Sequence, residues 1–299
     1  MTKFEVVIIG GSYAGLAAGM GLGRALRSVL IVDSGMPANR FTPQSHNFLT
    51  QDGSTPGEIA SIAKLQVDEY KTVECVDGRV VSVERSGDQF HVTLDDGRRY
   101  QASKLIFATG ITDIIPGIPG FAECWGKSVL HCPYCHGYEV RNVKTGILGN
   151  GDNAFEFGAL ISNWTSDLTI YTNGPSTLTK DQEAKLISHG IRVVEDEVEL
   201  LKHTNGYLES VVFTNGGTAF LNVLYSRPAF TQHSDIPMSL GCEIGTDGYI
   251  KVDPGLRTTV PGVYACGDSV TRLRTVANAI AMGTTTAITL NRDMILESF

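Results

Sequence analysis

Short runs of apolar and β-branched residues alternate with segments of helical periodicity along the first third of the chain. Residues 5–9 form an apolar run before a glycine-rich turn, residues 16–26 have helical spacing, and residues 29–32 form a second apolar run. Apolar runs of this length, bounded by turn signals, favour buried strands. The order predicts a β-α-β unit.

The same order of elements returns in the middle of the chain, and each unit is followed by short alternating strands. The second unit is predicted at residues 145–148, 154–163 and 168–172. The alternating strands are predicted at residues 79–84, 89–94, 104–108, 207–213 and 219–224. An internal duplication explains this repetition. The sequence therefore predicts an α/β fold with two Rossmann-like dinucleotide-binding domains of the three-layer ββα type.

The last part of the chain carries one more strand and one long helix. Residues 263–265 have the pattern of a buried strand, and residues 275–294 have that of a helix. We expect both to return to the first domain, because the turn signals at residues 113–117 and 234–237 separate them from the second unit. The predicted domains are residues 1–114 plus 240–299, with residues 115–239 inserted between them.

Composition excludes several classes of protein. The chain has 299 residues, of which 42% are hydrophobic and 19% charged, so it is too polar for a fibrous or membrane-embedded protein. Its net charge of −8 and the absence of a Lys/Arg-rich block argue against binding to nucleic acid or anionic membranes. Without a leader pattern or a spanning-length apolar segment, we expect a cytoplasmic protein that acts on small molecules or proteins.

The turn after the first strand has the spacing of a dinucleotide fingerprint. Its sequence is GGSYAG at residues 10–15, and an acidic residue follows the second strand about twenty residues later. A glycine permits the tight turn, another permits close helix packing, and the acid can accept hydrogen bonds from ribose hydroxyls. The cofactor-binding candidates here are Gly10, Ser12, Ala14, Gly15 and Asp33.

The second unit has a fingerprint of its own but lacks the usual discriminators between nicotinamide cofactors. Residues 149–154 read GNGDNA, with alanine in place of the third glycine. An NADPH site needs arginine and an NADH site usually needs an acid, yet residues 171–175 read YTNGP. Thr172 or Asn173 can still hydrogen-bond a ribose. The domain is therefore either a nicotinamide site or a scaffold.

The cysteine pair at the start of the inserted domain is the main candidate for chemistry. Cys132 and Cys135 have the C-x-x-C spacing that allows a reversible disulfide, and His136 is the acid–base candidate. We interpret His131 as structural. Half of a zinc site is the alternative, but it needs two more ligands at suitable spacing. The remaining cysteines are expected to be buried free thiols: Cys75, Cys124, Cys242 and Cys266.

The order of these motifs, with ATG at residues 108–110 and GVYACGD at residues 262–268, resembles the low-molecular-weight thioredoxin reductase family over essentially the whole chain. These enzymes are class II pyridine nucleotide-disulfide oxidoreductases. The resemblance implies FAD in the first domain, an NAD(P)-binding-like inserted domain, a homodimer, and a thioredoxin-like protein or a small disulfide as partner. It adds further cofactor-binding candidates: Thr109, Gly110, Asp268, Thr275 and Val276.

Two departures from the sequence pattern of the family's reductases change the activity that we expect. His136 stands where the family's reductases carry aspartate, and residues 171–173 stand where they carry arginines for NADPH. The segment CPYCHGYE resembles instead the branch that contains the dithiol oxidases of gliotoxin and holomycin biosynthesis. That resemblance implies oxidation of a small dithiol by Cys132, flavin reduction by Cys135 and oxygen as the final acceptor, with no nicotinamide.

Two other functions stay open at this point. One is a thioredoxin reductase-like disulfide reductase driven by NAD(P)H or a reduced ferredoxin. The other is a redox-sensing or scaffold flavoprotein without turnover. The loop at residues 40–53 has no motif that names a substrate, and His46 within it lies either near the flavin or at the surface.

Overall fold

The computed structural model describes residues 2–299 and divides them into two compact units. The first unit consists of residues 2–40, Phe48–Thr112 and Phe230–Phe299, and the second of Phe41–Asn47 and Asp113–Ala229. The last part of the chain thus belongs to the first unit. The predicted insertion at residues 115–239 differs at its end, because Ile236 is buried in the core of the first unit.

The elements follow one another in the order that the sequence pattern indicates. The helices are α1 Tyr13–Arg24, α2 Pro56–Asp68, α3 Phe121–Cys124, α4 Pro133–His136, α5 Gly151–Ile161, α6 Lys180–Ser188, α7 Ile236–Ser239 and α8 Val276–Ser298. The strands are β1 Thr2–Ile9, β2 Val29–Asp33, β3 Val73–Asp77, β4 Val80–Ser86, β5 Gln89–Leu94, β6 Arg99–Phe107, β7 Ile111–Asp113, β8 Val129–Leu130, β9 Thr145–Leu148, β10 Leu168–Tyr171, β11 Arg192–Val194, β12 Val198–Thr204, β13 Tyr207–Phe213, β14 Thr218–Phe220, β15 Val223–Ser226, β16 Phe230–Gln232 and β17 Val263–Ala265.

The first unit is built on one sheet with a parallel part and an antiparallel part. Its strands run in the order β3-β2-β1-β6-β5-β4, and β17 also pairs with β6. Both partners fit on the same side of β6 because β5 pairs with residues 99–102 and β17 with residues 105–107. The strands β3, β2, β1, β6 and β17 are mutually parallel. Their carboxyl ends therefore meet at one edge, where ligands bind in sheets of this type.

Burial on both faces explains the apolar runs of the parallel strands. Val7 and Ile9 of β1 belong to one apolar cluster, and Val6 and Ile8 belong to the cluster on the other face. A strand covered on both faces has no solvent side and needs no polar alternation. Helices α1 and α8 contribute to the second cluster and cover that face of the sheet.

The second unit repeats this plan on a smaller scale. Its parallel sheet has the order β11-β10-β9-β15-β8, and β12-β13-β14 form an antiparallel meander. The single strand predicted at residues 219–224 is two strands, because β14 pairs with β13 whereas β15 pairs with β9. The predicted α/β fold with two Rossmann-like domains is confirmed. Within residues 2–299, every helix is too short or too polar to cross a membrane.

Candidate functional site

The turn between β1 and α1 requires glycine at its first position. Gly10 has a φ of +106°, and a Cβ there would contact the carbonyl oxygen of Ala108 and lie 3.2 Å from the amide nitrogen of Thr109. A Cβ at Gly15 would contact the carbonyl oxygen of Gly10. The turn is therefore as tight as the fingerprint predicts, with β1, α1 and the residues after β6 in direct contact.

The start of α1 leaves backbone donors for a ligand. Ser12 is the N-cap residue, with extended backbone, and its side chain makes no capping hydrogen bond within the described chain. Ala14 is buried and has a packing role, because a Cβ at Gly267 would lie 3.0 Å from the Ala14 Cβ. A helix start whose N–H groups lack a side-chain cap is suited to binding phosphate oxygens.

Asp33 lies at the carboxyl end of β2 beside this turn. Its Oδ1 accepts a hydrogen bond from the Gly11 backbone nitrogen at 3.0 Å. A Cβ at Gly11 would lie 2.7 Å from the Asp33 Cβ, so only glycine permits this approach. The bond leaves further lone pairs on the carboxylate as acceptors for ribose hydroxyls.

Other predicted cofactor residues follow β6 and β17 at the same sheet edge. The Thr109 hydroxyl is buried and has no hydrogen-bond partner within residues 2–299, and Gly110 has a φ of +67°. Asp268 lies directly after β17, and Arg274 Nε is 3.7 Å from its Oδ2. A buried hydroxyl without a protein partner costs stability unless a ligand satisfies it. This edge therefore fits a bound polar cofactor.

The predicted flavin-facing segment begins the last helix. Thr275 is the N-cap residue of α8, and its side chain accepts a hydrogen bond from the Asn278 backbone nitrogen at 3.2 Å. Val276 is the first helical residue and is partly buried. The Thr275 side chain therefore has a structural role in capping α8, which the sequence pattern did not indicate.

The second fingerprint turn is closed by its own chain. Asn150 Oδ1 accepts hydrogen bonds from the backbone nitrogens of Gly151 at 2.9 Å and Thr177 at 2.8 Å, and from Thr177 Oγ1 at 3.0 Å. Asn150 Nδ2 donates to the Pro175 carbonyl at 2.9 Å. A Cβ at Gly151 would lie 2.8 Å from Thr177 Oγ1. The loop after β10 therefore packs against this turn at Gly151.

The two residues proposed above as ribose ligands are committed to the protein itself. The Thr172 hydroxyl is buried and donates to the Gly174 carbonyl at 2.6 Å. Asn173 Oδ1 accepts from the Val198 backbone nitrogen at 2.7 Å, and Asn173 has a positive φ of 54°. Their polar groups stabilise the loop. Thr172 Oγ1 and Asn173 Oδ1 are therefore engaged in contacts within the chain.

The predicted cysteine pair is a disulfide at the start of a short helix. Cys132 and Cys135 are bonded, with their Cα atoms 5.3 Å apart, and both are partly exposed. Cys132 is the N-cap residue of α4, and its Sγ accepts a hydrogen bond from the Cys135 backbone nitrogen at 3.1 Å. This donor favours negative charge on Cys132 once the disulfide opens.

The two histidines beside the pair have different environments. Burial, reinforced by the charge of His46, lowers the pKa of His136 to about 4. His136 is therefore neutral at pH 7 and can accept a proton. His131 stacks on Trp125, with ring centroids 5.8 Å apart, which supports its structural interpretation.

The other cysteines differ from the pair. Cys124, Cys242 and Cys266 are buried free thiols as predicted, but Cys75 is only partly buried because β3 lies at the sheet edge. Burial raises the pKa of Cys75 to about 11 and that of Cys266 to about 12. These two thiols stay protonated at neutral pH and are poor nucleophiles.

The sequence left the position of His46 open and gave no signal for the contacts of Asn150. His46 Nδ1 lies 3.6 Å from Glu139 Oε1, and the His46 side chain is only 17% exposed. His46 is thus not a surface histidine, and it packs with the second unit. Asn150 is the other case. Both depend on contacts between segments far apart in the chain, for which no local pattern gives a signal.

Comparison with known proteins identifies close relatives of this architecture. The sequence profile of a family described as pyridine nucleotide-disulphide oxidoreductase matches residues 4–283. A curated protein named thioredoxin reductase tcpT, from Claviceps purpurea, is 30% identical over 290 residues, covering 93% of this chain and 90% of its own.

Two solved structures are similar over nearly their full length. An oxidoreductase from Agrobacterium tumefaciens is 39% identical with a TM-score of 0.92, and the match covers 99% of each chain. The structure of HlmI is 34% identical with a TM-score of 0.95, and the match covers 100% of this chain and 95% of that one. Both matches extend over the two units described above.

Proposed function

We propose that this enzyme, which belongs to the pyridine nucleotide-disulphide oxidoreductase family, is an FAD-dependent dithiol oxidase. It oxidises a small dithiol to a disulfide through Cys132 and Cys135, with oxygen as the final electron acceptor. The family resemblance also implies a homodimer, and the sequence pattern favours a cytoplasmic location; both stay predictions.

The closed second turn is the observation that carries this proposal. Asn150 holds the loop containing Thr177 against Gly151, and this packing disfavours the approach of the pyrophosphate of NAD(P)H to the turn. No arginine replaces the missing contacts between residues 171 and 175. An enzyme that does not bind a nicotinamide can take its electrons from the thiol substrate itself, and this favours oxidation over a reductase driven by NAD(P)H.

FAD fits the residues at the edge of the first sheet. Gly10, Ser12, Ala14 and Gly15 form the turn and helix start that would hold the pyrophosphate, and Asp33 would hold a ribose. Further contacts would come from the residues that follow β6 and β17 and begin α8: Thr109, Gly110, Asp268, Thr275 and Val276. When bound, FAD supplies the two-electron acceptor that restores the Cys132–Cys135 disulfide and is itself reoxidised by oxygen to give peroxide.

The chemistry of the thiols begins with the exposed disulfide. A substrate thiolate attacks Cys132, which forms a mixed disulfide and releases Cys135 as a thiolate. The second substrate thiol then attacks its own sulfur in the mixed disulfide, so that Cys132 leaves as a thiolate. The hydrogen bond from the Cys135 nitrogen to Cys132 Sγ stabilises that leaving group. The assignment of Cys135 to the flavin follows the family resemblance.

His136 is the proton acceptor for the incoming thiol. Its pKa of about 4 keeps the imidazole neutral through the pH range in which thiols ionise. Replacing His136 by asparagine is expected to slow flavin reduction by dithiol roughly 100-fold at pH 7, a typical loss for a general base. The defect should shrink toward pH 9–10, because a thiol with a pKa of about 8.5 ionises there without help.

Stopped-flow rates from pH 5 to 10 test this role of His136. The exposed His189 provides a matched control as His189→Asn, which should follow the wild-type profile. A defect in His136→Asn that stays constant up to pH 10 would count against general-base catalysis.

The experiment that tests the proposed function is anaerobic mixing of the flavin-loaded enzyme with dithiothreitol, NADPH or NADH. Dithiothreitol should bleach the absorbance near 450 nm, and admission of air should restore it with one peroxide per flavin. Neither nicotinamide should bleach it, and calorimetry should detect no heat of binding for either. Rapid bleaching by NADPH would refute the oxidase.

A disulfide reductase driven by NAD(P)H or ferredoxin is the second candidate. The name of the relative from Claviceps purpurea, thioredoxin reductase, favours it. It predicts that a thioredoxin-like disulfide protein reoxidises the reduced enzyme faster than oxygen does. The same anaerobic experiment, with reduced ferredoxin added as a further donor, separates the candidates, because only the reductase is reduced by a donor other than a thiol.

A further inference from the structure

Two tyrosines beside the disulfide are open to solvent. Tyr134 is 62% exposed and Tyr138 is 67% exposed. Tyr134 lies between the two cysteines in α4, and because consecutive Cα atoms are about 3.8 Å apart, its side chain begins next to Cys135. Exposed aromatic rings that adjoin a reactive group suit the binding of an apolar ligand. The disulfide therefore borders an exposed aromatic surface, formed by Tyr134 and Tyr138.

The helical turn of α4 places both tyrosines on one face. Gly137, the C-cap residue, has right-handed helical backbone, and its nitrogen donates to the Pro133 carbonyl at 2.7 Å, so the turn continues past the end of α4. Residues four apart lie one above the other on a helix, and Tyr134 and Tyr138 have this spacing. Tyr138 also follows Cys135 by three residues, the other spacing that shares a face.

Neighbouring groups hold the two rings in place. The Tyr134 ring meets the Trp164 ring edge to face, with centroids 5.5 Å apart and an interplanar angle of 89°. A Cβ at Gly137 would lie 2.8 Å from Trp164 Nε1, so glycine lets the indole pack directly against the turn that follows the disulfide. The guanidinium carbon of Arg141 lies 4.0 Å from the centroid of the Tyr138 ring. Rings that are already fixed lose little freedom when a ligand binds, which favours affinity.

The charged groups of this segment are engaged within the chain. The Arg141 guanidinium lies over the Tyr138 ring, and Glu139 Oε1 lies 3.6 Å from His46 Nδ1. These residues all belong to the second unit. A charged substrate body would compete with these contacts, whereas a neutral ring can stack on the tyrosines without disturbing them. The aromatic surface therefore suits an uncharged ligand that carries a ring.

We propose that Tyr134 and Tyr138 bind the body of the dithiol substrate and select dithiols built on an uncharged apolar or aromatic ring. A thiolate that attacks Cys132 must lie beside α4, and the body that carries it then reaches the exposed rings. The tyrosines take no part in the exchange of bonds, which proceeds at the cysteines. The inference rests on the proposed function and assigns a substrate class to it.

Two dithiols that close to cyclic disulfides of the same ring size test this selection. The ortho isomer of benzenedimethanethiol carries an aromatic ring, and dithiothreitol does not. Anaerobic stopped-flow reduction of the flavin-loaded enzyme gives a second-order rate constant for each, and the ratio of the two removes losses common to both. Tyr134→Ser should lower the ratio of the aromatic to the open-chain dithiol about tenfold, and Tyr138→Ser should lower it by a smaller factor. Tyr134→Phe should keep the wild-type ratio, because the ring remains.

Tyr207 of β13 provides a matched control. It is 57% exposed and belongs to the same unit, so Tyr207→Ser should keep the wild-type ratio. Flavin content and thermal unfolding report on folding. An unchanged ratio in Tyr134→Ser, or an equal loss with both dithiols, would overturn the selection while leaving the proposed function intact.

Two further outcomes would also count against the substrate-binding role. If Tyr134→Ser slowed reoxidation by a thioredoxin-like disulfide protein and left both dithiol rates unchanged, the aromatic surface would belong to a protein partner instead. A wild-type enzyme that neither dithiol reduces would overturn this inference and the proposed function together.

Discussion

Replacing either Cys132 or Cys135 by serine should reduce dithiol-dependent flavin reduction by about a thousandfold or more, because no other cysteine can take its place. The remaining thiols lie elsewhere, and burial raises the pKa of Cys75 and Cys266 far above neutrality. Stopped-flow absorbance at 450 nm measures the loss. Cys75→Ser is the matched control and should retain the wild-type rate.

The two variants should differ in whether they form a stable mixed disulfide with a small disulfide. Cys135→Ser leaves Cys132, whose Sγ accepts the backbone hydrogen bond, and should form a stable mixed disulfide with an activated small disulfide. Mass spectrometry of tryptic peptides locates the adduct. If Cys135→Ser captures nothing but dithiols still reduce its flavin, the roles of the two cysteines are reversed.

Replacing Gly15 by alanine should strip the enzyme of FAD and destabilise the first unit by roughly 3 kcal/mol, at the upper end of overpacking costs. The new Cβ would meet the Gly10 carbonyl oxygen, which is backbone and cannot rotate away. Any shift that relieves this contact moves α1 away from β1 and distorts the turn that would hold the pyrophosphate. Flavin absorbance per protein and the midpoint of urea unfolding report both effects.

Gly57 offers a matched control for the same substitution. It lies in the first turn of α2, and a Cβ there would have nothing within 4 Å. Gly57→Ala should keep the flavin and unfold at the same or slightly higher urea concentration, since alanine favours helix. Full flavin retention in Gly15→Ala would contradict the assignment of this turn to FAD.

Local patterns determined the elements of this protein and their order. Apolar runs with no polar alternation indicate parallel strands covered on both faces, as in β1 and β9, and the repeated β-α-β order predicts two Rossmann-like domains. The glycines of residues 10–15 and the C-x-x-C pair are also readable, because tight turns and a closely spaced disulfide involve residues near each other in the chain.

Other features depend on contacts that no local pattern encodes. The sequence left the second fingerprint open, and only the fold shows that Thr177, twenty-seven residues after Asn150, is hydrogen-bonded to it. The end of the insertion at Ala229 is decided by the burial of Ile236 in the first core.

For the surroundings of the disulfide, the sequence likewise determined some features and the tertiary structure determined others. The sequence by itself determined the pair and the histidine beside it, because chemistry of this kind needs those residue types at that short spacing. Only the tertiary structure decided that His46 lies beside Glu139 and that burial keeps His136 neutral. Burial and charge pairing are properties of packed surfaces, which form between segments distant in sequence.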